Sequence, residues 1–438
     1  MLRKTDLFEL VRVSRVLQLL KNVTNKGFFH LLLANVTIGL LAFGGQLLVA
    51  KFLTPVDLGR IKIMQSFIGV GAILAGFGFN TAVLKLCSEK RPFEEQAFLF
   101  RKNSLYTALP TLILLVGLFV LAKLGILCPD AVVNNWLPIY MLAIPAMTYT
   151  SLIMAYLQAL KKIQLMAKLQ VAIRVLSFIA LTIMTYFYGF VGFVLAAVLA
   201  GCIAALPLAY LVKDDLKIKA RVQGAFSQSF FYAKWSVSAN AVSTIGQYMD
   251  IFMLNYLITD RASMGYYGLS TIFILGMSYV SLTAQSIATP YFSEKGGDKK
   301  EFLRVLWKYQ VLMVLLGAFV SIVAFAAVPM FISIVYGSDY APAGVYFRVL
   351  VLKYFFWNCC ALLGGALVGL GKMKYNFVSV AISVPTSLVL SYFAISSYGV
   401  IGAAIAQAAT YLITLALVSL MAIHAIRMHF EIQERTPD

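Results

Sequence analysis

Four ionisable side chains fall inside long apolar stretches of this sequence: Arg174, Asp250, Arg348 and Lys353. A charged side chain at the centre of a bilayer costs roughly 2.5–3.5 kcal/mol on insertion scales, so such residues mark ion pairs, polar cavities or paths for charged molecules. Helical rise places Arg174 about 14 Å, and Asp250 and Lys353 about 12 Å, from the nearer polar end of their stretches. Arg348 lies so close to such an end that its long side chain can reach the interface and act as an anchor.

Asp250 and Lys353 share the same predicted depth, and two interpretations of them stay open. In the first, they form a structural ion pair between helices, because buried charges usually need partners. In the second, Asp250 faces a polar cleft, where it takes up and releases a proton or Na⁺ and so couples that ion to a conformational change.

Uncharged polar side chains accompany these charges. The candidate cleft residues are Arg174, Lys353, Arg348, Asn35, Gln46, Asn240 and Gln247, and Asp250 is the candidate for ion coupling. Each amide alone is also explained by a hydrogen bond between membrane helices. Together, however, amides and an excess of positive charge favour an anionic, sugar-bearing solute over an organic cation.

The composition identifies the class of protein that must position these residues. The chain has 438 residues, of which 61% are hydrophobic and only 12% charged, with a mean hydropathy of +0.86. Soluble domains carry about 25% charged residues, so we expect a polytopic membrane protein. The net charge of +18 is spread between apolar runs, which indicates membrane topology and not a nucleic-acid partner.

Motifs for catalysis or cofactor binding are missing from the sequence. The five cysteines form no CxxC pair, the three histidines form no HExxH motif, and there is no P-loop. We therefore predict neither an enzyme nor a metal or cofactor site.

Apolar runs long enough to cross a bilayer predict an all-α protein of about twelve transmembrane helices. The predicted spans are 29–52, 61–84, 105–127, 137–159, 165–187, 190–212, 235–258, 267–290, 309–331, 345–370, 375–396 and 402–424. The connections on one side of the membrane hold 28 of the 36 lysines and arginines, and the opposite connections hold five. The positive-inside rule makes the first side cytoplasmic, so both termini are predicted to be inside.

The two halves of the chain repeat each other. "AN" at 34–35 and "CSEK" at 87–90 recur as "AN" and "FSEK" 205 residues later, and "YGFVGFVLA" at 188–196 recurs as "YGVIGAAIA" 210 residues later. A six-span repeat implies two lobes related by a two-fold axis along the membrane normal, with a cleft between them. The predicted parts are an amphipathic cytoplasmic tail (1–28), a first lobe (29–212), a linker (213–234), a second lobe (235–424) and a cytoplasmic tail (425–438).

Several stretches resemble the Wzx-type O-antigen flippases, the polysaccharide-transporter branch of the multidrug/oligosaccharidyl-lipid/polysaccharide exporter (MOP) superfamily. They include "FLTPVDLGRI" at 52–61, the acid in the seventh span, "ATPYFSEKGGDKKEF" at 288–302 and "VYGSDYAPAG" at 335–344. The first of these departs from the family's pattern, because it lacks the usual second aromatic-glycine step.

The resemblance implies a MATE-like fold and movement of an undecaprenyl-pyrophosphate-linked oligosaccharide across the bacterial cytoplasmic membrane by alternating access, with or without coupling to H⁺ or Na⁺. It also implies contact with membrane lipids and with proteins of polysaccharide polymerisation and assembly. A cation-extruding multidrug exporter of the same superfamily is the nearest alternative, but the first lobe has no acid within its spans. A membrane glycosyltransferase or polymerase fits less well, because the outer connections are short.

Overall fold

The computed structural model describes residues 28–218, 220 and 222–435, and the described side chains begin at residue 39, with gaps at 286, 287, 290, 293 and 432–435. These residues form α-helices and two short 3₁₀ helices, without a strand. The predicted amphipathic tail lies outside the described residues, apart from Phe28.

Seven helices form the first half of the chain. They are α1 (Phe28–Lys51), α2 (Pro55–Gly76), α3 (Phe79–Cys87), α4 (Phe93–Lys123), α5 (Ala131–Met141), α6 (Ala143–Ala159) and α7 (Ile163–Leu211). The second predicted span is divided between α2 and α3, and the fourth between α5 and α6. The fifth and sixth spans are both part of α7, whose helical backbone is interrupted at Gly189.

Six helices form the second half, after a 3₁₀ helix at Asp215–Lys217. They are α8 (Ala225–Leu257), α9 (Arg261–Glu294), α10 (Lys299–Tyr336), α11 (Ala343–Gly369), α12 (Met373–Tyr398) and α13 (Val400–Arg435). Nine stretches of the described residues are long and apolar enough to cross a membrane. Counting α7 as two spans and adding α1 and α8 gives the predicted twelve; the limits of the two lobes stay predictions.

Two glycines show the internal repeat in the backbone. Gly189 has φ 57° and ψ −132°, and Gly399, 210 residues later, has φ 64° and ψ −143°. Residues with a side chain rarely adopt this backbone region. Glycine is therefore required where the chain turns back before the last span of each lobe. Gly192 and Gly402 follow each turn, and there the backbone approaches so closely that a Cβ atom would clash with a carbonyl oxygen. The same turn is therefore built twice.

The lobes meet through their first two spans. Helix α1 packs on α9, α2 packs on both α8 and α9, and α3 packs on α8. Gly59 of α2 and Gly265 of α9 face each other's helices at backbone contact, so neither position has room for a side chain. A core of fully buried apolar residues continues across this contact, including Ile61 and Met264. The first two spans of each lobe thus form the contact between the lobes, and any cavity between the lobes must border on them.

Candidate functional site

A cavity of about 950 Å³ lies between the two lobes. Helices α1, α2, α5, α6 and α7 line it from the first lobe, and α8, α9 and α11 line it from the second. Its volume is at the upper end of the range of about 300–1,000 Å³ that small-molecule sites occupy.

Three cationic side chains from both lobes line this central cavity: Lys62 of α2, Arg174 of α7 and Lys353 of α11. Asp250 of α8 is the one acid among its lining residues in the described part of the chain. The Lys62 ammonium donates a hydrogen bond to Oε1 of Gln46 at 3.3 Å, so an amide and a cation are held together on the wall. The cavity therefore carries an excess of positive charge, as predicted.

Five predicted residues come together here: Arg174, Lys353, Gln46, Gln247 and Asp250 all line the central cavity. Their convergence from four helices supports the predicted cleft between the lobes.

The other predicted residues do not join them. Arg348 is exposed and lies outside the cavity lining, because its guanidinium packs 5.5 Å from the ring centre of Phe325 on α10 instead. Asn240 lines a separate, smaller cavity of about 180 Å³ and donates a hydrogen bond to Ser236 at 3.1 Å. Asn35 belongs to α1, but its side chain lies outside the described residues.

Asp250 and Lys353 form no ion pair in the described structure. The hydroxyl of Tyr267 donates a hydrogen bond to one oxygen of the Asp250 carboxylate, and the backbone N–H of Ile251 donates to the other at 2.9 Å. The Lys353 ammonium lies 5.1 Å from the ring centre of Tyr411 instead. The interpretation as a structural pair is therefore wrong, because each group has a different neutral partner and both face the same cavity.

The internal repeat relates residues of the cavity wall in one lobe to residues at equivalent positions in the other. Tyr267 lies 205 residues after Lys62, and Asp250 lies 205 residues after Gly45. In the first lobe a Cβ atom on Gly45 would approach the Phe178 ring to 2.9 Å, so the position has no room for a carboxylate. Equivalent positions thus present Lys62 and Gly45 in the first lobe, and Tyr267 with its bound Asp250 in the second.

Lys62 is a cavity cation that is absent from the predicted site residues. The predicted span begins at 61, which places Lys62 at the membrane surface, whereas α2 already begins at Pro55. Thr54 caps this helix by accepting a hydrogen bond from the Asp57 N–H at 3.2 Å. A threonine cap followed by proline is a recognised start signal, so "TPVD" could have located the helix start and placed Lys62 two turns inside it.

An ionic cluster joins the lobes near one end of the cavity. The Asp130 carboxylate, in the connection before α5, accepts a hydrogen bond from Arg60 of α2 at 2.8 Å and lies 3.8 Å from Arg261 of α9. The Asp130 side chain is 11% exposed and that of Arg261 only 8%. We call Arg60, Asp130 and Arg261 the interlobe latch, because the one carboxylate binds a cation from each lobe.

Neutral hydrogen bonds reinforce the latch. The Tyr340 hydroxyl donates to the Leu53 carbonyl at 3.0 Å, and Asn255 donates to the Leu127 carbonyl at 2.9 Å. The buried Cys128 thiol donates to Oδ1 of Asn255 at 2.9 Å. Each of these bonds crosses between the lobes, so this end is closed in the present conformation.

The latch aspartate is held in its ionised form. Burial of Asp130 favours the neutral acid, but the hydrogen bonds from Arg60 and the Val132 N–H, with the charges of Arg60 and Arg261, outweigh it and lower the pKa of this carboxyl. The latch therefore stays charged throughout the neutral range.

Sequence and structure comparisons place this arrangement among known proteins. The family model described as "Polysaccharide biosynthesis protein" matches residues 24–295. A Shigella flexneri protein provisionally described as an O-antigen transporter is 29% identical over 220 residues, which are 48% of this chain and 52% of that protein. The match thus spans about half of the relative's length.

Two solved transporters share the fold over nearly the whole chain. The lipid II flippase MurJ, in an inward closed conformation, has a TM-score of 0.72 at 17% identity, over 93% of this chain and 92% of its own. An inward-facing MATE family multidrug resistance transporter of the MOP superfamily has a TM-score of 0.70 at 11% identity, over 91% and 99%. At these identities the likeness shows the fold alone.

These findings confirm the resemblance to the Wzx-type flippases and the multi-pass membrane architecture. The family model covers well over half of the chain. The chain therefore belongs to the polysaccharide biosynthesis protein family and has the fold of the MOP superfamily of transporters.

Proposed function

We propose that this protein is a flippase that moves an undecaprenyl-pyrophosphate-linked oligosaccharide across the bacterial cytoplasmic membrane. The observation that carries the proposal is the cationic cavity between the lobes, lined by Lys62, Arg174 and Lys353. In the low-dielectric surroundings of a membrane protein, fixed cations attract an anionic headgroup far more strongly than they would in water.

The substrate's three parts suit three surroundings. The pyrophosphate would lie among the cavity cations, and the sugars would bind amides such as Gln46 and Gln247. The polyprenyl tail would stay in the lipid between the lobes, so membrane lipids are partners throughout. Polymerase and assembly proteins would then receive the sugar chain on the outer side, with both termini of the flippase in the cytoplasm.

Transport of this kind needs no covalent chemistry. In the described residues no group of three or more His, Cys, Asp or Glu side chains is arranged for a metal ion. We propose a transporter without catalytic residues, which works by alternating access as the lobes separate first at one end and then at the other.

The charge distribution favours this substrate over an organic cation. The first lobe contributes Lys62 and Arg174 to the cavity, and both would repel a cation. The acid on the cavity wall, Asp250, is 4% exposed and already bound to Tyr267. A cation exporter would therefore have to overcome an excess of like charge at its own binding site.

Asp250 is the group that we propose couples transport to an ion. Its hydrogen-bond partners are the Tyr267 hydroxyl and the Ile251 backbone N–H, and none of the described lysines or arginines forms an ion pair with it. A carboxylate in that position can take up H⁺ or bind Na⁺, and either event would remove one negative charge from the cavity wall. The pyrophosphate would then meet a more positive wall in the loaded state.

Flux in reconstituted vesicles tests the proposal. Arg174→Ala removes one cavity cation, and at limiting substrate it should slow flipping of the lipid-linked oligosaccharide about 10- to 150-fold, since a hydrogen bond to a charged group contributes about 1.5–3 kcal/mol. The matched control is Arg348→Ala, which removes an equal charge from an exposed site outside the cavity. Equal flux in the two variants would contradict the assignment of Arg174.

A further inference from the structure

A second cavity, of about 380 Å³, lies within the second lobe between α8, α11, α12 and α13. It touches the central cavity, because Gln247 and Lys353 line both. Lys353 is the charged residue among its lining side chains in the described part of the chain. The second cavity is therefore neutral beyond its border with the central one.

Hydroxyl and amide groups dominate the polar lining of this cavity. The Thr410 side chain is buried, at 6% exposure, and its hydroxyl has no hydrogen-bond partner among the described residues. Ser383 and Thr414 share a hydrogen bond of 2.9 Å on the same wall, and Gln407 is 4% exposed. A buried hydroxyl without a partner costs about 1–3 kcal/mol, so this wall is better suited to a bound polar ligand than to an empty space.

Two aromatic rings complete the lining. Trp357 and Tyr411 both face the cavity, and the Tyr411 ring lies beneath the Lys353 ammonium at 5.1 Å. A sugar has polar hydroxyl groups at its edge and apolar C–H groups on its faces. A pocket with aromatic surfaces and several neutral hydroxyls can satisfy both parts at once.

We infer that the second cavity is a sugar-binding subsite, which takes a neutral residue of the glycan while the pyrophosphate occupies the central cavity. Lys353, at the border, would then contact the pyrophosphate where the first sugar is attached. This inference rests on the proposed function and deepens it, because it assigns one neutral sugar of the glycan to the second lobe, beside the sugars at the amides of the central cavity, and the phosphates to the cations of the central cavity.

Binding of two matched lipids to the protein in nanodiscs tests the subsite. The first probe is the lipid-linked oligosaccharide extracted from cells that lack this protein, and the second is sugar-free undecaprenyl pyrophosphate. Thr410→Val, which has the same shape without the hydroxyl, should raise the Kd of the glycosylated lipid about fivefold, the loss expected for one net hydrogen bond. The Kd of the sugar-free lipid should stay unchanged.

Thr185→Val is the matched control, because Thr185 is also a buried threonine whose hydroxyl has no partner in the described part of the chain, but it does not line this cavity. It should leave both Kd values unchanged. Ser383→Ala gives an independent test at a half-buried position, and it should likewise weaken the glycosylated lipid alone.

The outcomes separate this inference from the proposed function. If wild-type protein binds both lipids with one affinity, or if Thr410→Val and Ser383→Ala weaken both lipids equally, the subsite is refuted while the flippase stands. If the cells accumulate no lipid-linked oligosaccharide, or wild-type protein binds neither lipid, the proposed function fails and the subsite with it.

Discussion

Replacing Asp130 by asparagine should release the interlobe latch and expose the end of the protein that it closes. Asparagine keeps the helix cap that Asp130 provides to the Val132 N–H, so the change removes the charge and little else. Arg261, at 8% exposure, then loses its carboxylate partner while it stays buried.

The cost can be bounded from the geometry. Exposed ion pairs contribute about 0–1 kcal/mol, whereas removal of one partner from a buried pair costs about 3–5 kcal/mol. Arg60 is 24% exposed and Asp130 is 11% exposed, which places the latch between these limits, at about 2–3 kcal/mol. If the cost falls on the closed conformation, the population that is open at this end should rise about 30- to 150-fold.

Cys128 reports this opening directly. Its side chain is 1% exposed beside the latch, so a polar maleimide can reach the thiol only when the lobes separate at this end. In a variant whose other four cysteines are replaced by alanine, Asp130→Asn should increase the labelling rate in nanodiscs by the same factor.

Asp57→Asn is the control for this experiment. Asp57 also pairs with Arg60, at 3.3 Å, but both residues belong to α2, so the pair does not join the lobes. Unchanged labelling in Asp130→Asn, or an equal increase in Asp57→Asn, would refute the idea that the latch holds this end closed.

The remaining predictions concern ion coupling, pH and the repeated turn. Asp250→Asn should reduce flux while the protein stays folded, and adding Lys353→Met should not restore it; restored flux in vesicles would instead make the two residues a structural couple. Because the pKa of Asp130 is lowered, its contribution to stability is complete above the ordinary aspartate value of 3.8 and is lost as the pH falls below it, so the difference in Tm between wild type and Asp130→Asn should shrink only there. Gly189→Ala and Gly399→Ala should each destabilise by about 1–3 kcal/mol, measured by thermal unfolding in detergent, because both glycines adopt a backbone region that side chains rarely enter; equal Tm values for wild type and both variants would contradict this.

The helices and the repeat could be predicted because their signals are local. Apolar runs of sufficient length predict the spans, and "YGF" and "YGV" predict a turn that the structure builds twice, at Gly189 and Gly399. Helix starts are harder to predict, since a cap is a single residue among polar neighbours. That is why α2 begins six residues before the predicted span.

The sequence predicts which residues lie in the site, but it does not predict the side chains that they contact. Depth along a helix places Arg174, Asp250 and Lys353 in the membrane, and all three line the central cavity. The depth of a residue in the membrane does not determine the direction in which its side chain points around the helix axis. Asp250 and Lys353 share a depth, yet they bind Tyr267 and Tyr411, because those rings come from helices whose packing only the folded chain determines.

The equivalence of wall positions between the two lobes, as in Lys62 with Tyr267 and Gly45 with Asp250, has an evolutionary consequence. Duplication leaves two copies of each wall position, of which only one must keep its original chemistry. Here the glycine turns at 189 and 399 are the same in both copies, while Gly45 and Asp250 have diverged. Such a chain can change the polarity of one half of its binding wall by a single substitution and retain the turns on which both lobes are built.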